Sequence, residues 1–234
     1  MRRLRRHPSW RRVGRIGILA AAVWLAWEIG LQLWPPPDPY ALKPPGLRVT
    51  DRRGHLLRDY LTADQKRRWR VPLGRISPRL VEAVLLHEDR RFYDHPGVDL
   101  AAVVRAARDN LRRGRIVSGA STITMQLARL VEPRPRSLGY KLEQTWHALQ
   151  YESLYDKDGI LARYLNLAPY GGNLEGVGPA AYAYFGKAAG DLSVAEACLL
   201  AVLPQSPARR DPVAHPQAAR QARDALIDRL QAAG

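Results

Sequence analysis

Apolar and polar positions divide the chain into three unlike stretches. Residues 16 to 34, "IGILAAAVWLAWEIGLQLW", are apolar almost without interruption. The run is close to the ~20 residues a helix needs to cross a bilayer. Glu28 and Gln32 fall toward its end, where a side chain reaches the interface. Residues 35 to 46, "PPPDPYALKPPG", lack any periodicity, and their prolines predict a stiff, extended spacer. From residue 47 a regular pattern begins. "GLRVTDRRGHLLRDYL" predicts a hairpin, with strands Leu47 to Thr50 and His55 to Tyr60 around a turn at Asp51 to Gly54. "RWRVPL" reads as a further short strand.

After Ser77 the spacing turns helical and stays so. Ser77-Pro78 is an N-cap followed by proline at the first helical position. Leu80, Val81, Val84 and Leu85 make the inward stripe, and Glu88 falls on it. A second helix runs from an Asp99 cap to Leu111 and stops at Gly114. "STITMQLARL" sets Ile123, Leu127 and Leu130 on one face and Thr122, Gln126 and Arg129 on the other. "RSLGYKLEQTWHALQYESL" puts Leu138, Leu142, Trp146 and Leu149 inward. "ILARYLNLA", "PAAYAYFGK" and "SVAEACLLAVLP" follow, the last opening with a Ser193–Glu196 capping box. A final amphipathic helix carries Ala219, Ala222, Leu226 and Leu230. The expected fold class is mostly α with a short N-terminal β-hairpin, residues 47–234, preceded by one transmembrane helix.

Composition sharpens this picture at three points. A chain of 234 residues that is 46% hydrophobic builds one substantial domain, or one with a small satellite. Lys and Arg outnumber Asp and Glu by 37 to 22, a net +15 that points to a polyanion: nucleic acid, anionic lipid or a phosphorylated substrate. Seven arginines in "MRRLRRHPSWRRVGR", residues 1–15, precede the apolar run. They hold the N-terminus in the cytoplasm and place everything after Trp34 outside, with Trp24, Trp27 and Trp34 as belt candidates. A cleaved signal peptide is the alternative, but no A-x-A site follows the run, so an uncleaved anchor is expected. The single cysteine, Cys198, excludes an internal disulfide and a Cys-based zinc site.

Two clusters carry chemistry. Glu88 on an apolar stripe loses hydration, so its pKa rises toward neutrality, as a general base requires. The plainer alternative is a polar helix end, with Glu88 and Asp89 paired to Arg90 or Arg91. In "RIVSGASTITMQLAR" a small-residue turn opens a helix, presenting free backbone N–H groups to an anion. Arg129 lies on the polar face, with Arg136 and Lys141 beyond it. The alternative there is a plain Ser/Thr cap with solvated arginines. A carboxylate base and a cationic cradle on an outward-facing, anchored lobe together point to a membrane-borne phosphorylated substrate.

The ordered motifs "EDRRFYDHPGVD", "GASTITMQLAR", "ILARYLNLAPYGGNLEGV", "AYFGK" and "LSVAEACLLAVLPQSP" resemble those of the peptidoglycan glycosyltransferases, glycosyltransferase family 51. The resemblance covers about residues 47 to 232, and variants such as "VSGASTITMQ" are similar to one subgroup of bifunctional members. It implies a lysozyme-like helical head with a smaller jaw lobe dipping into the membrane. It also implies polymerisation of lipid II on the periplasmic, outer face of the cytoplasmic (inner) membrane. Glu88 would then be the general base toward the acceptor's N-acetylglucosamine 4-hydroxyl. Asp89, Phe92, His95 and Gly97 match the same motif, and Ser121, Thr122, Thr124 and Gln126 match the second. Arg105, Arg129, Arg136 and Lys141 match cationic positions that hold the donor pyrophosphate. Gln144 falls where the family's third motif has a glutamate.

The departures from the family pattern are Ala120 for a glycine, Met125 for a glutamine, Tyr140 for an arginine, Gln144 for that glutamate, and Ala162 for a glutamate. Without the carboxylate, Mg²⁺ or Mn²⁺ is expected to bind mainly through substrate phosphates, with no protein metal ligand. The implied partners are lipid II, the growing glycan strand, membrane lipids and other cell-wall synthesis proteins, not nucleic acid. No S-x-x-K or K-T-G motif occurs, so no transpeptidase activity is expected of this chain. Two rivals remain: a non-catalytic lipid II- or glycan-binding scaffold, and a lysozyme-like hydrolase.

Overall fold

The computed structural model describes residues 18, 22, 25, 29–31 and 33, then 35–54, 56–114, 119–135 and 137–233. The chain divides into two compact units, Met1–Pro36 and Pro37–Gly234. In the first, the described residues from 18 to 33 are helical. The basic segment 1–15 and most of the expected span at 16–34 lie outside the described residues. Among those described, no helix is long and apolar enough to cross a membrane.

The second unit is mostly helical, with two small antiparallel hairpins. Its order is α1 (Pro39–Leu42), β1 (Arg48–Thr50), β2 (Leu56–Asp59), α2 (Pro78–Glu88), α3 (Leu100–Arg113), α4 (Ile123–Val131) and α5 (Leu138–Leu154). Then come α6 (Lys157–Leu167), β3 (Pro169–Gly171), β4 (Leu174–Glu175), α7 (Val177–Phe185), α8 (Val194–Val202) and α9 (Pro216–Ala233). Short 3₁₀ turns lie at Leu73–Arg75 and Phe92–Asp94. The β1–β2 hairpin closes through the expected turn, with Gly54 N–H donating to the Asp51 carbonyl. Helix α2 packs on α8 and α8 on α9, while α4 packs between α5 and α6. One continuous core runs through these helices, from Leu80 and Val84 to Ile123, Leu127, Leu165, Leu200 and Leu226. Cys198 is a free, buried member of it.

The local signals explain most boundaries. Asp99 accepts from the Ala102 N–H at 2.9 Å, and Gly114 ends α3 at φ 61°. Ser193 and Glu196 form the expected reciprocal capping box. Ser77 does not cap α2 with its side chain, which turns instead toward the Leu192 carbonyl at 3.5 Å. Proline at the first turn suffices there, because its missing N–H needs no partner.

Three sequence expectations are corrected. The spacer is not uniformly extended: Asp38 accepts from the Tyr40 N–H and caps the one-turn helix α1. The Arg70 and Arg163 guanidinium groups then flank the Tyr40 ring at 4.0 and 5.0 Å, holding that turn on the domain. "RWRVPL" is not a strand. At Val71 both backbone groups are taken by a side chain, with Asn166 accepting from Val71 N–H at 2.7 Å and donating to Val71 O at 2.9 Å. Arg68, 2% exposed, is clamped by Glu175 and Asp64. Finally, α5 is rotated from the expected face. Leu138 and Leu142 are 86% and 71% exposed, whereas Tyr140, Gln144, Ala148 and Tyr151 face inward. The two tyrosines bury more surface than the leucines, and the Tyr140 hydroxyl donates to the Glu132 carbonyl.

Candidate active site

Helix α2 delivers Glu88 as its last residue, and the chain then turns sharply through Asp89. Only 7% of the Glu88 side chain is exposed. Its Oε2 accepts from Gln126 Nε2 at 2.7 Å, while Oε1 is buried without a partner. Burial pushes the carboxyl's pKa up; the Gln126 donor and the Arg129 and Arg210 charges offset part of this, and Asp89 adds to it. The buried Tyr164 and Tyr170 hydroxyls also lack partners, and burial followed by the Glu88 charge holds both phenols neutral.

Asp89 performs a different task. Its carboxylate accepts from the Ile123 N–H at 3.0 Å and lies 3.1 Å from His95 Nε2. Thr122 caps the same helix, accepting from Met125 N–H and donating to the Gly97 carbonyl at 2.6 Å. The helix N-terminus proposed above as an open anion site is therefore already filled by the protein's own Asp89. Negative charge is favourable there for the reason that made a substrate phosphate attractive. Two carboxylates at the end of α2 thus have separate surroundings: Asp89 is tied to His95 and the Ile123 N–H, and Glu88 is buried with one oxygen unpartnered.

The rest of the first motif is scaffolding. Phe92 is buried with the Lys157 ammonium 4.5 Å above its ring, and Lys157 also donates to the His95 carbonyl. Gly97 has φ 87°, and a Cβ there would lie 2.9 Å from Glu152 Cγ and 3.0 Å from the Ala148 carbonyl. Thr124 points into the core and donates to Glu152 at 2.6 Å, away from Glu88.

Gln126 links the Glu88 carboxylate to Arg129. It donates to Glu88 and accepts weakly from Arg129 at 3.4 Å. A cavity of about 480 Å³ opens beside Glu88, lined also by Arg90, Arg91, Asp99, Arg105 and the residues 119–122. Lys141 reaches the same wall, its Nζ donating to Ser121 Oγ at 2.5 Å. Ala120 has no positive φ, so alanine costs the backbone nothing there. Gln144 is buried on α5. Arg136 lies outside the described residues.

The cradle does not fit a resident divalent cation. Asp89 is committed to His95 and Ile123, and Asp99 caps α3 and pairs with Arg91, which leaves Glu88 as the one lining carboxylate with an uncommitted oxygen among cationic and hydroxyl groups, too few ligands for a hard cation. Among the described residues, Glu132, Glu143 and His147 do bring ligand atoms within 4.8 Å of one another. Arg134 already bridges the two carboxylates, at 3.8 and 3.0 Å.

Sequence reasoning passed over Arg210 and His87, both close to Glu88. Arg210 follows α8, far along the chain, and no local pattern ties it to the site. His87 is simply the neighbour before Glu88, and only the fold turns its ring inward.

Comparison with known proteins accounts for this arrangement. The family described as Transglycosylase matches residues 53–231. Penicillin-binding protein 1C of Escherichia coli is 44% identical over 220 residues, 92% of this chain and 28% of that protein. Penicillin-binding protein 1A of Aquifex aeolicus is 41% identical over 199 residues, 83% of this chain and 27% of that protein. A Cupriavidus necator protein named as a transglycosylase is 40% identical over 173 residues, 74% of each chain. The chain thus spans less than a third of the penicillin-binding relatives and most of the shorter one. With a buried carboxylate at the start of its matched motifs and a cationic wall opposite, the chain belongs to the transglycosylase family, the peptidoglycan glycosyltransferases of glycosyltransferase family 51.

Proposed function

We propose that this chain polymerises lipid II into glycan strands. The observation that carries the reading is Glu88: a nearly buried carboxylate with one unpartnered oxygen, beside a cavity whose far wall is cationic. In the reaction, the acceptor's N-acetylglucosamine 4-oxygen attacks C1 of the donor's N-acetylmuramic acid. The C1–oxygen bond to undecaprenyl pyrophosphate breaks, the leaving group keeps the electron pair, and the configuration at C1 inverts. The 4-hydroxyl proton passes to Glu88, whose raised pKa makes it a competent acceptor near neutral pH. Gln126 holds the carboxylate at the correct angle, and Arg129 adds positive charge near it. Lys141, Arg105 and Arg136 are assigned to the pyrophosphate, where fixed cations stabilise developing negative charge. Any contribution of Mg²⁺ or Mn²⁺ is assigned to the substrate's own phosphates, because the cradle's donors do not suit a hard cation.

The lipid-linked substrate requires contact with a membrane. We assign that role to two features: the apolar run 16–34 as an uncleaved, single-pass anchor, and α3 as the face of a jaw lobe beneath a lysozyme-like head. Helix α3 exposes Leu100, Val104 and Leu111 beside Arg105, Arg108 and Arg112, and buries only Ala106. A basic, amphipathic helix of this kind lies in the headgroup region of an anionic bilayer. The domain then works on the periplasmic side of the cytoplasmic membrane, against lipid II, the growing strand and other cell-wall synthesis proteins.

Gel separation of the products from labelled lipid II tests the reading. Long glycan ladders are the expected result. Unchanged lipid II favours a binding scaffold, and short fragments with free reducing ends favour a hydrolase; either overturns polymerisation.

A further inference from the structure

Next to the base, the fold buries a second polar group that the proposed chemistry does not use. His87 is 12% exposed, and both of its ring nitrogens lack hydrogen-bond partners. Its Nε2 stands 3.6 Å from Glu88 Oε1, which is itself buried and unpartnered. Two orphaned polar groups facing each other at slightly more than hydrogen-bond distance call for a common explanation.

The surroundings decide which form the ring takes. Arg210 and Arg229 face it from the segment after α8 and from α9, their guanidinium groups fixed on the Val202 and Leu86 carbonyls. Burial, then these two charges, push the imidazole down to about 4; the Gln205 side chain, within hydrogen-bonding reach of the ring, offsets part of this. His87 is therefore neutral at physiological pH and carries a single N–H. Two acceptors stand near that proton, the Gln205 side chain and Glu88 Oε1, and of these Oε1 is buried without any partner. A charged imidazolium in the same place would form an ion pair and quench the base; a neutral ring supplies a donor without a net charge.

We infer that His87 is a positioning residue for Glu88: as the neutral Nε2–H tautomer it donates to Oε1 after a small rotation of the ring, so that His87 and Gln126 grip the two carboxylate oxygens. The remaining lone pairs then face the acceptor hydroxyl at a fixed angle. The role rests on Glu88 being the base, and the experiment keeps the two claims apart.

The full chain in detergent is labelled at glutamate side-chain carbons, and the Glu88 signal is identified by its loss in Glu88→Gln. Its titration is followed by ¹³C NMR in wild type, His87→Leu and His87→Gln, alongside the pH profile of lipid II polymerisation. Losing a donor to a charged group is expected to move the Glu88 titration, and the acid limb of kcat, upward by roughly one to two pH units in His87→Leu. KM should stay near the wild-type value. Gln places an amide donor where Nε2 stood, so His87→Gln should restore most of the shift. If His87→Leu fails to fold, His87→Met supplies the apolar variant. An unmoved Glu88 titration in an apolar variant, or failure of glutamine to rescue it, overturns this inference while leaving Glu88 as base. Polymerisation by Glu88→Gln overturns the base itself.

Discussion

Replacing Glu88 by glutamine should make the protein both more stable and nearly inactive. The carboxyl is almost fully buried, and burial is the largest influence on it, raising its pKa. For every tenfold by which the fold disfavours ionisation, the folded state loses about 1.4 kcal/mol once the group is charged. The sign follows from proton binding. A carboxyl with a raised folded-state pKa keeps its full contribution below the unfolded value and loses it as pH climbs through the folded one. Glutamine does not titrate, and its carbonyl can still accept from Gln126. Wild type and Glu88→Gln should therefore melt together near about pH 3, below the ordinary carboxylate values. By about pH 8 the variant should melt above wild type, by an amount set by how far the fold raises the carboxyl's pKa. Turnover, by contrast, should fall on the order of 10²–10⁴-fold, because no group remains to take the acceptor proton. Circular-dichroism melts in detergent across that pH range, with lipid II gels on the same preparations, read both effects. A variant that is less stable than wild type at the higher pH would show that Glu88 is not held against its solvation. Retained polymerisation would remove it from the chemistry.

Other perturbations probe the supports of the site. Gly97→Ala forces a Cβ against Glu152 and the Ala148 carbonyl at a positive φ, so a loss of about 2 kcal/mol or more is expected in urea denaturation. Arg129→Ala should cut turnover on the order of 10²-fold; activity equal to wild type would remove Arg129 from the charges that serve the reaction. Gln144→Glu, three residues after Lys141 on α5, should leave the enzyme active and increase its stimulation by Mg²⁺ or Mn²⁺. Were that variant to switch on an inactive wild type, the scaffold reading would lead. The anchor is checked by N-terminal sequencing of membrane-purified protein: Met1 or Arg2 is expected, whereas a start near residue 30 would reveal cleavage.

The sequence by itself determined the helical architecture after Ser77, because caps, glycine stops and 3.6-residue spacing are local properties of the chain. Asp99, Gly114, Ser193 and Glu196 act within a turn of where they stand, and each is found doing so. Glu88 was legible for the same reason: a carboxylate on an apolar stripe is anomalous before any coordinates are known. Only the tertiary structure decided what depends on groups far apart in the chain. The anion at the N-terminus of α4 is Asp89, 34 residues upstream of the Ile123 N–H that it accepts, so the local signal for an anion site was real but already satisfied. The face of α5 that turns inward was set by how Tyr140 and Tyr151 pack against other helices, not by the count of leucines along it. The Val71 backbone bonds to Asn166 rather than to a neighbouring strand. His87 and Arg210 come together at Glu88 because α8 and α9 fold back onto α2, bringing a guanidinium from the far end of the chain beside the carboxylate. Hydrogen-bond partners of that separation leave no periodic trace, since nothing in the chain between them has to repeat.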